Sequence, residues 1–328
     1  MIGGPPQSRP APHGAHPRKD SLRVSVNTGN MSVATRFLRL ANRLLPAPAL
    51  PGDVDPSAYA RWEYETSEAT LRLWDAAGRL DGGCALDVGC GLGGKTHRLR
   101  EHAGAAVRWT ALDIDVDHLR QAGAYFTEAG VDAVDRVAGD AARLPFADGG
   151  FDRIVTADAL EHLPDPRRAL AEFRRCLRPD GRLVLLFNPW GSPRGSHLGD
   201  LLHLPWCQLF FSKETLGRAT LEVAEDRARA APPGEAERVR AHGRDLVDHF
   251  QHHVHPTRIA DLRAWLADDR TFTIDTEIRF GPGSIGTPDW LQRGWCEEWL
   301  SATYGAVLTP RAAPRSSAST RSTVCSSS

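Results

Sequence analysis

The sequence has no long apolar run, and this excludes several classes of protein. The longest strongly apolar stretch, Leu183 to Phe187, is far too short to cross a bilayer. No positively charged start leads into an apolar signal segment either. We therefore predict no transmembrane segment.

Cysteine is scarce, and neither sign of charge dominates. The six cysteines are widely scattered with no Cys-x-x-Cys pair, so neither a zinc knuckle nor a disulfide framework is indicated. A reducing cytoplasm fits this usage best. Lys and Arg number 40 against 41 Asp and Glu, a net charge of -1, so no nucleic-acid partner is expected.

Both ends of the chain lack a pattern that could form a core. Residues 1–30 are rich in Pro, Gly, Ser and Arg, and residues 311–328 are mostly Ser, Ala, Thr and Arg. Such compositions cannot bury enough apolar surface to offset the entropy of ordering. We predict that both segments are disordered.

Two helices are predicted before the first strand. Apolar residues at Phe37, Leu40, Ala41, Leu44 and Leu45 recur at helical spacing until Pro46. This amphipathic helix is either a membrane-surface anchor or lid, or a helix packed on its own domain, and we favour packing. A second helix is expected over residues 57–79, with Trp62, Leu71 and Trp74 facing inward.

From residue 84 the pattern alternates between strands and helices. Repeated βα units require a parallel sheet, because each crossover helix returns the chain to the same end of the sheet. The predicted strands are 84–88, 108–112, 136–138, 151–156 and 182–187, and the predicted helices are 95–102, 118–129 and 166–177.

The alternation stops after Asn188-Pro189. A charged helical stretch over 213–250, broken at Pro232-Pro233-Gly234, precedes a helix near 257–267 and strands at 272–280 and 304–308. We predict a doubly wound α/β fold with a seven-stranded, mostly parallel Rossmann-like sheet and an antiparallel last strand. The predicted division of the chain is the N-terminal helices together with the first part of the core (31–189), an inserted helical cap (190–255) and the rest of the core (256–310).

A glycine-rich turn follows the first strand of the alternation. Gly89, Gly91 and Gly93 lie between that strand and a helix, and Asp113 stands 20 residues beyond Gly93 at the tip of the second strand. Glycines let backbone N–H groups approach a ligand, and a carboxylate at this place can accept both hydroxyls of a ribose. The pattern predicts a nucleotide-binding site.

Four segments resemble the class I S-adenosylmethionine-dependent methyltransferases, particularly the branch with the ubiquinone and menaquinone C-methyltransferases and many small-molecule O- and N-methyltransferases. The segments are Leu86 to Gly91, Leu112 to Asp115, Gly139 to Phe146, and Phe151 through Glu161-His162 to Gly181.

The resemblance implies S-adenosyl-L-methionine as cofactor and a role for each matching residue. Gly89, Gly91 and Gly93 would bring amides to the methionine carboxylate, which the helix N-terminus also favours. The remaining roles are Asp87 near the amino group, Asp113 on the ribose, Ile114 against the adenine, and Asp140 with the Ala141 amide at the adenine edge.

Methyl transfer requires an acceptor held in line behind the methyl group, and a base only if the acceptor must lose a proton. His162, His197 and His203 are the candidate bases. Trp190, Trp206 and Phe210 could line an apolar acceptor pocket at the carboxyl edge of the sheet, or form the core of the cap instead.

The run Gln251-His252-His253-Val254-His255 suggests metal ligands only superficially. No carboxylate or cysteine completes a set, and successive residues point in different directions. We expect a solvated loop or helix end there and predict no metal.

Two other functions are compatible with parts of the pattern. A nicotinamide-dependent oxidoreductase would also use Gly89-x-Gly91 with Asp113, and a non-catalytic relative could keep the fold as a binding module. Asp87 and the Gly139-Asp140 pair favour the methyltransferase. We expect a small-molecule acceptor methylated on oxygen or nitrogen rather than carbon.

Overall fold

The computed structural model describes residues 32–46, 55–232, 234–281 and 296–311. The segment 1–30 lies outside these residues, and of the segment 311–328 only Arg311 lies inside them. No helix in the described ranges is long and apolar enough to span a membrane.

The strands form one seven-stranded sheet in the order β3-β2-β1-β4-β5-β7-β6. Strands β1 to β5 pair in parallel, and β7 is antiparallel to both of its neighbours. The predicted fold class is therefore confirmed. The strands are β1 (Gly83–Val88), β2 (Val107–Asp113), β3 (Val134–Ala138), β4 (Phe151–Ala157), β5 (Leu177–Phe187), β6 (Phe272–Phe280) and β7 (Thr303–Pro310).

Helices precede the sheet, connect its strands and fill the segment between β5 and β6. The helices are α1 (Val33–Leu44), α2 (Pro56–Glu65), α3 (Glu68–Ala76), α4 (Gly94–Ala103), α5 (Val116–Glu128), α6 (Pro166–Cys176), α7 (Cys207–Phe210), α8 (Lys213–Ala230), α9 (Ala236–His252), α10 (Ile259–Asp269) and α11 (Glu297–Leu300). We call residues 190–255, which contain α7, α8 and α9, the cap.

The core consists of two apolar layers, one on each face of the sheet. Successive residues of a strand point to opposite faces, so Ile154 belongs to one layer and Val155 to the other. Residues of α6 and α10 cover the first layer, and residues of α3 and α4 cover the second. Burial on both faces explains why the central strands are almost continuously apolar.

The predicted single helix over 57–79 is wrong, because the chain forms α2 and α3 instead. At the break, the Thr66 hydroxyl donates to the Trp62 carbonyl at 2.7 Å, and the Ser67 hydroxyl donates to the Glu63 carbonyl. Such side-chain bonds compete with the helical ladder. Of the residues predicted to face inward, Leu71 and Trp74 are buried and Trp62 is half-buried.

Helix α1 packs on the protein with a face different from the predicted one. Phe37, Leu40 and Leu44 of the predicted apolar face are 55%, 61% and 80% exposed, whereas Leu38 on the other side is buried. The apolar periodicity identified the helix correctly. It did not identify the packed face.

Polar contacts to the cap determine the orientation of α1. The Arg39 guanidinium donates to the Asp226 carboxylate of α8 at 2.6 Å. The Asn42 amide donates to the Leu201 carbonyl at 2.8 Å, and both groups are buried. Because buried polar groups need partners, these contacts hold the polar side of the helix inward.

The strand order reverses direction between β1 and β4. One connection from β1 runs outward to β2 and β3, and the chain then returns to place β4 on the other side of β1. Open α/β sheets bind ligands at the carboxyl ends of the strands at such a switch point. The glycine turn after β1 and residues 158–162 after β4 both lie at this position.

Candidate active site

The turn after β1 has a backbone that requires glycine. Gly89, Gly91 and Gly93 have φ angles of 78°, 52° and 86°, which side chains rarely adopt. A Cβ on Gly89 would approach the Ala159 Cβ to 2.6 Å, while one on Gly91 would meet no atom within 4 Å. The turn is thus tightly packed on the sheet side and open on its outer side.

Asp113 lies at the tip of β2, beside the glycine turn. One carboxylate oxygen accepts the Gly91 N–H and the other accepts the Asp115 N–H, both at 2.9 Å. Burial alone would raise the pKa of Asp113, but hydrogen bonds from His118 and from these two amides outweigh it and lower the pKa. Asp113 is therefore an ionised acceptor at neutral pH.

The residues predicted to contact adenine lie next to Asp113. Ile114 is 67% exposed, which is unusual for a large apolar side chain and leaves it available to cover a ring. The backbone N–H of Gly139 donates to the Asp113 carbonyl at 3.0 Å, which holds the β3 turn against β2. Asp140 is exposed, and Ala141 is buried behind it.

Asp87 lies beneath the glycine turn. Its carboxylate accepts the Thr96 hydroxyl at 2.6 Å, and burial raises its pKa to about 6. Because an ionised carboxylate is costly to bury, this position suits a cationic ligand group nearby.

Sequence reasoning missed a set of charges above Asp87. The Lys95 ammonium of α4 lies 3.0 Å from a Glu63 carboxylate oxygen and 3.1 Å from one of Asp158. One Glu63 oxygen is buried without a hydrogen-bond partner among the described residues. Asp158 directly follows β4, so its place at the carboxyl edge was readable from the strand prediction.

These residues fit S-adenosylmethionine. The open outer side of Gly91 admits a ligand to the turn, and the ionised Asp113 can accept ribose hydroxyls. The exposed Ile114 side chain offers apolar cover for a purine, and the acidic groups near Asp87 suit an ammonium group. The role of each individual residue stays a prediction.

On the other side of β4, His162 and His197 lie close together. Their ring centroids are 4.9 Å apart with edge-to-face geometry, and His249 of α9 lies 4.7 Å from His162. His249 was not among the predicted bases. No spacing in the sequence relates it to the other two.

The third predicted base, His203, has different surroundings. Its Nε2 lies 2.8 Å from an Arg227 guanidinium nitrogen and accepts from it, and its backbone N–H donates to the Asn42 side chain at 2.5 Å. These contacts place His203 at the junction of α1 and α8.

The three aromatic residues predicted to form an acceptor pocket have three separate environments. Trp190 stacks on Phe250 within the cap core, with ring planes 5° apart. The Trp206 indole N–H donates to the Trp299 carbonyl at 3.1 Å, and Phe210 is 69% exposed. Trp190 thus contributes to cap packing, and the pocket role of all three stays a prediction.

The run over 251–255 is more closely packed than expected. Helix α9 ends at His252, Val254 is buried, and the His255 N–H donates to the Glu161 carbonyl at 2.8 Å. The expectation of a helix end holds, while the expectation of a solvated loop does not fit Val254. The segment connects the cap to the turn after β4.

Known proteins match the part of the chain that contains the glycine turn, Asp113 and His162. The family model described as a methyltransferase domain matches residues 86–185. Methyltransferase GfsG of Streptomyces halstedii is 35% identical over 140 residues, which are 41% of this chain and 46% of that protein. A demethylmenaquinone methyltransferase of Bacillus velezensis is 32% identical over 133 residues, 40% of this chain and 57% of the relative.

A longer match covers most of another relative. An uncharacterised methyltransferase of Mycobacterium marinum is 31% identical over 180 residues, which are 53% of this chain and 68% of that protein. The chain thus spans about half the length of the first two relatives and two thirds of this one.

Proposed function

The chain belongs to the class I S-adenosylmethionine-dependent methyltransferases, and from this premise we propose that it transfers the cofactor's methyl group to a hydroxyl or amine of a small molecule. The observation that supports this most is the convergence of the glycine turn, the ionised Asp113 and a histidine pair at one edge of the sheet.

When bound, S-adenosylmethionine supplies a methyl group activated by a sulfonium centre. The chain's own residues would orient the cofactor. The N–H groups of Gly89, Gly91 and Gly93 donate within the chain, to the Leu112 carbonyl, the Asp113 carboxylate and the Cys90 carbonyl. The N-terminus of α4 that follows the turn would therefore hold the cofactor's carboxylate. Asp113 would hold its ribose hydroxyls, and Ile114, Asp140 and the Ala141 amide its adenine. None of these groups needs to react, since positioning can supply much of the rate.

The acceptor would lie between the end of β4 and the cap. Support comes from the contacts that hold the cap there, namely the His197 ring against His162 and the His255 N–H on the Glu161 carbonyl. A closed cap would exclude water from the site. We also propose the division into core residues 31–189 and 256–310 with a cap over 190–255.

Oxygen or nitrogen is proposed as the acceptor atom because a proton acceptor is available. His162 donates its Nδ1–H to the His253 carbonyl at 3.0 Å, which leaves the Nε2 lone pair free to accept a proton. Burial lowers the pKa of His162, so the imidazole is neutral at physiological pH. A hydroxyl or an ammonium-derived amine must lose a proton during methylation.

The reducing cytoplasm remains our proposed location. The support is cysteine usage: Cys84, Cys90, Cys176 and Cys207, in the described part of the chain, are free thiols.

Cofactor labelled in the methyl group tests this proposal. The full chain is incubated with it and with a panel of small molecules that carry hydroxyl, amine or activated-carbon acceptors, and the products are analysed by mass spectrometry. We expect the label on oxygen or nitrogen. Label found only on carbon would contradict the acceptor class, and no transfer to any class would contradict methyl transfer to this kind of molecule.

A further inference from the structure

Three histidines from separate segments meet beyond the end of β4. His162 ends a short 3-10 turn after that strand, His197 lies in the first loop of the cap, and His249 lies in the last turn of α9. One ring nitrogen from each lies within 4.8 Å of the other two. All three side chains are half-buried.

A hydrogen bond fixes the tautomer of one of the three rings. Since the His253 carbonyl can only accept, His162 carries its proton on Nδ1 and its lone pair on Nε2. A backbone carbonyl that fixes the tautomer in this way is the usual support of a metal-binding histidine.

A buried carboxylate borders the cluster. One Glu161 oxygen accepts the Asn188 N–H at 2.8 Å and lies 3.7 Å from His197 Nε2. Among the residues that the structure describes, neither the other Glu161 oxygen nor His197 Nε2 has a hydrogen-bond partner, and both atoms are buried. Buried polar atoms without partners are typical of places where an ion or a water molecule completes the contacts.

The backbone at His197 is also unusual. Its φ angle of 55° lies in the left-handed region, where residues other than glycine are strained. Such strain persists where the surrounding structure needs a side chain at a particular place. The His197 ring at this position lies edge-to-face against the His162 ring.

The spacing of the nitrogens is close to that of a metal site. Zinc binds histidine nitrogen at about 2.0–2.1 Å, so ligands in a tetrahedral site lie about 3.4 Å apart. The distances between the three ring nitrogens must therefore shorten by roughly 1 Å, and small rotations of the three rings can provide this. Three neutral imidazoles suit Zn²⁺ and related borderline cations, and such sites keep one position open.

We propose that His162, His197 and His249 together bind a divalent cation of the Zn²⁺ class, with Glu161 as the positioning residue of His197 and a fourth ligand position open. With a cation bound, the His162 Nε2 lone pair is a ligand and not a proton acceptor, and the cation would instead lower the pKa of a coordinated acceptor hydroxyl. This use in methyl transfer rests on the proposed function. Cation binding itself does not. The proposal departs from the prediction of no metal, which was argued from His252, His253 and His255, a different set of histidines.

The test is calorimetric titration with ZnCl₂ of the full chain after treatment with a chelator, without cofactor or acceptor. We expect one Zn²⁺ per chain. His197→Gln and His249→Gln should each weaken binding more than about 100-fold, and Glu161→Gln by about 10- to 100-fold. The matched control is His252→Gln, which changes an exposed histidine of the same helix, 3.8 Å from Asp248, and should leave affinity within about twofold.

Circular dichroism and S-adenosylhomocysteine titration of the same variants establish that each is folded. Zn²⁺ affinity lost equally in His252→Gln would show surface binding and overturn the site. No uptake of Zn²⁺ by chain that still binds S-adenosylhomocysteine would also overturn it, and would leave the proposed methyl transfer standing. Co²⁺ should give the visible spectrum of a nitrogen-ligated site in the unchanged chain but not in His249→Gln.

Discussion

The two sides of the β1/β4 crevice are built differently. On the proposed cofactor side, Asp113 is held by backbone amides of adjacent turns. On the proposed acceptor side, Glu161 and His197 come from separate segments, and each has a buried polar atom without a hydrogen-bond partner among the described residues. The first group is held by local backbone hydrogen bonds, although a buried Glu63 oxygen near it also lacks a partner among the described residues, whereas the second depends on contacts between distant segments.

The largest effect is expected on the acceptor side. His197→Gln removes an imidazole lone pair, as base or as ligand, and should lower turnover by roughly 10²- to 10⁴-fold. Affinity for S-adenosylhomocysteine should not change, because no residue of the cofactor side is altered. Steady-state kinetics with an acceptor from the labelling screen measures the first quantity and calorimetry the second.

The dependence of turnover on pH gives a second expectation for His197. Burial, with His162 and His249, lowers the pKa of His197 well below its ordinary value. The neutral form is therefore present at pH 7, and the rate should fall only as pH drops well below about 6.5. His203→Gln, at the other histidine of the cap that was predicted as a base, is the matched control. Near-normal turnover in both His197→Gln and His203→Gln would show that the cap only shapes the site and supplies no base or ligand.

The next effect concerns the cofactor side. Asp113→Ala should weaken S-adenosylhomocysteine binding by about 1.5–3 kcal/mol, since it deletes charge-assisted hydrogen bonds to a ribose. That corresponds to roughly tenfold to over a hundredfold in Kd. Asp117→Ala, which removes an exposed carboxylate paired with Arg120 at 2.6 Å, should have no effect. Unchanged affinity in folded Asp113→Ala would remove Asp113 from the site.

A smaller effect is expected on stability at Asp87. Its pKa rises from 3.8 to about 6 on folding, because burial disfavours the ionised form. Below about pH 4 the carboxyl group is protonated in both the folded and the unfolded chain and costs the fold nothing. The free energy of unfolding then falls as pH rises through about 6. Asp87→Asn should be more stable than the unchanged chain at pH 8, by about 1–3 kcal/mol, and equal to it near pH 4.

Denaturant unfolding at several pH values measures this difference. The control is Asp81→Asn, which changes an exposed carboxylate and should show no pH-dependent gain. A variant at Asp87 that is less stable than the unchanged chain at pH 8 would show that the buried charge contributes favourably to the fold.

The turn and the strand tip of the proposed cofactor side were predictable from sequence because these elements are local. Gly89, Gly91 and Gly93 mark a turn that only glycine can form, and Asp113 follows the next strand. The alternation of strands and helices also predicted the sheet. The spacing of apolar residues and the residue types found at turns are sufficient to predict such features.

The acceptor side was not predictable because its contacts join distant segments. His249 meets His162 through the packing of α9 on the turn after β4, and no local spacing encodes that contact. The packed face of α1 was also missed, since Arg39 and Asn42 bind cap groups whose positions depend on the whole fold. Tertiary contacts thus determine both the meeting of His249 with His162 and the face with which α1 packs.

The central claim is that the glycine turn and Asp113 form a site for S-adenosylmethionine. Calorimetric titration of the full chain with S-adenosylhomocysteine and with NADH, side by side, tests it most directly. The account predicts one-to-one binding of S-adenosylhomocysteine and no binding of NADH. Binding of NADH alone, or of neither compound by folded protein, would contradict it.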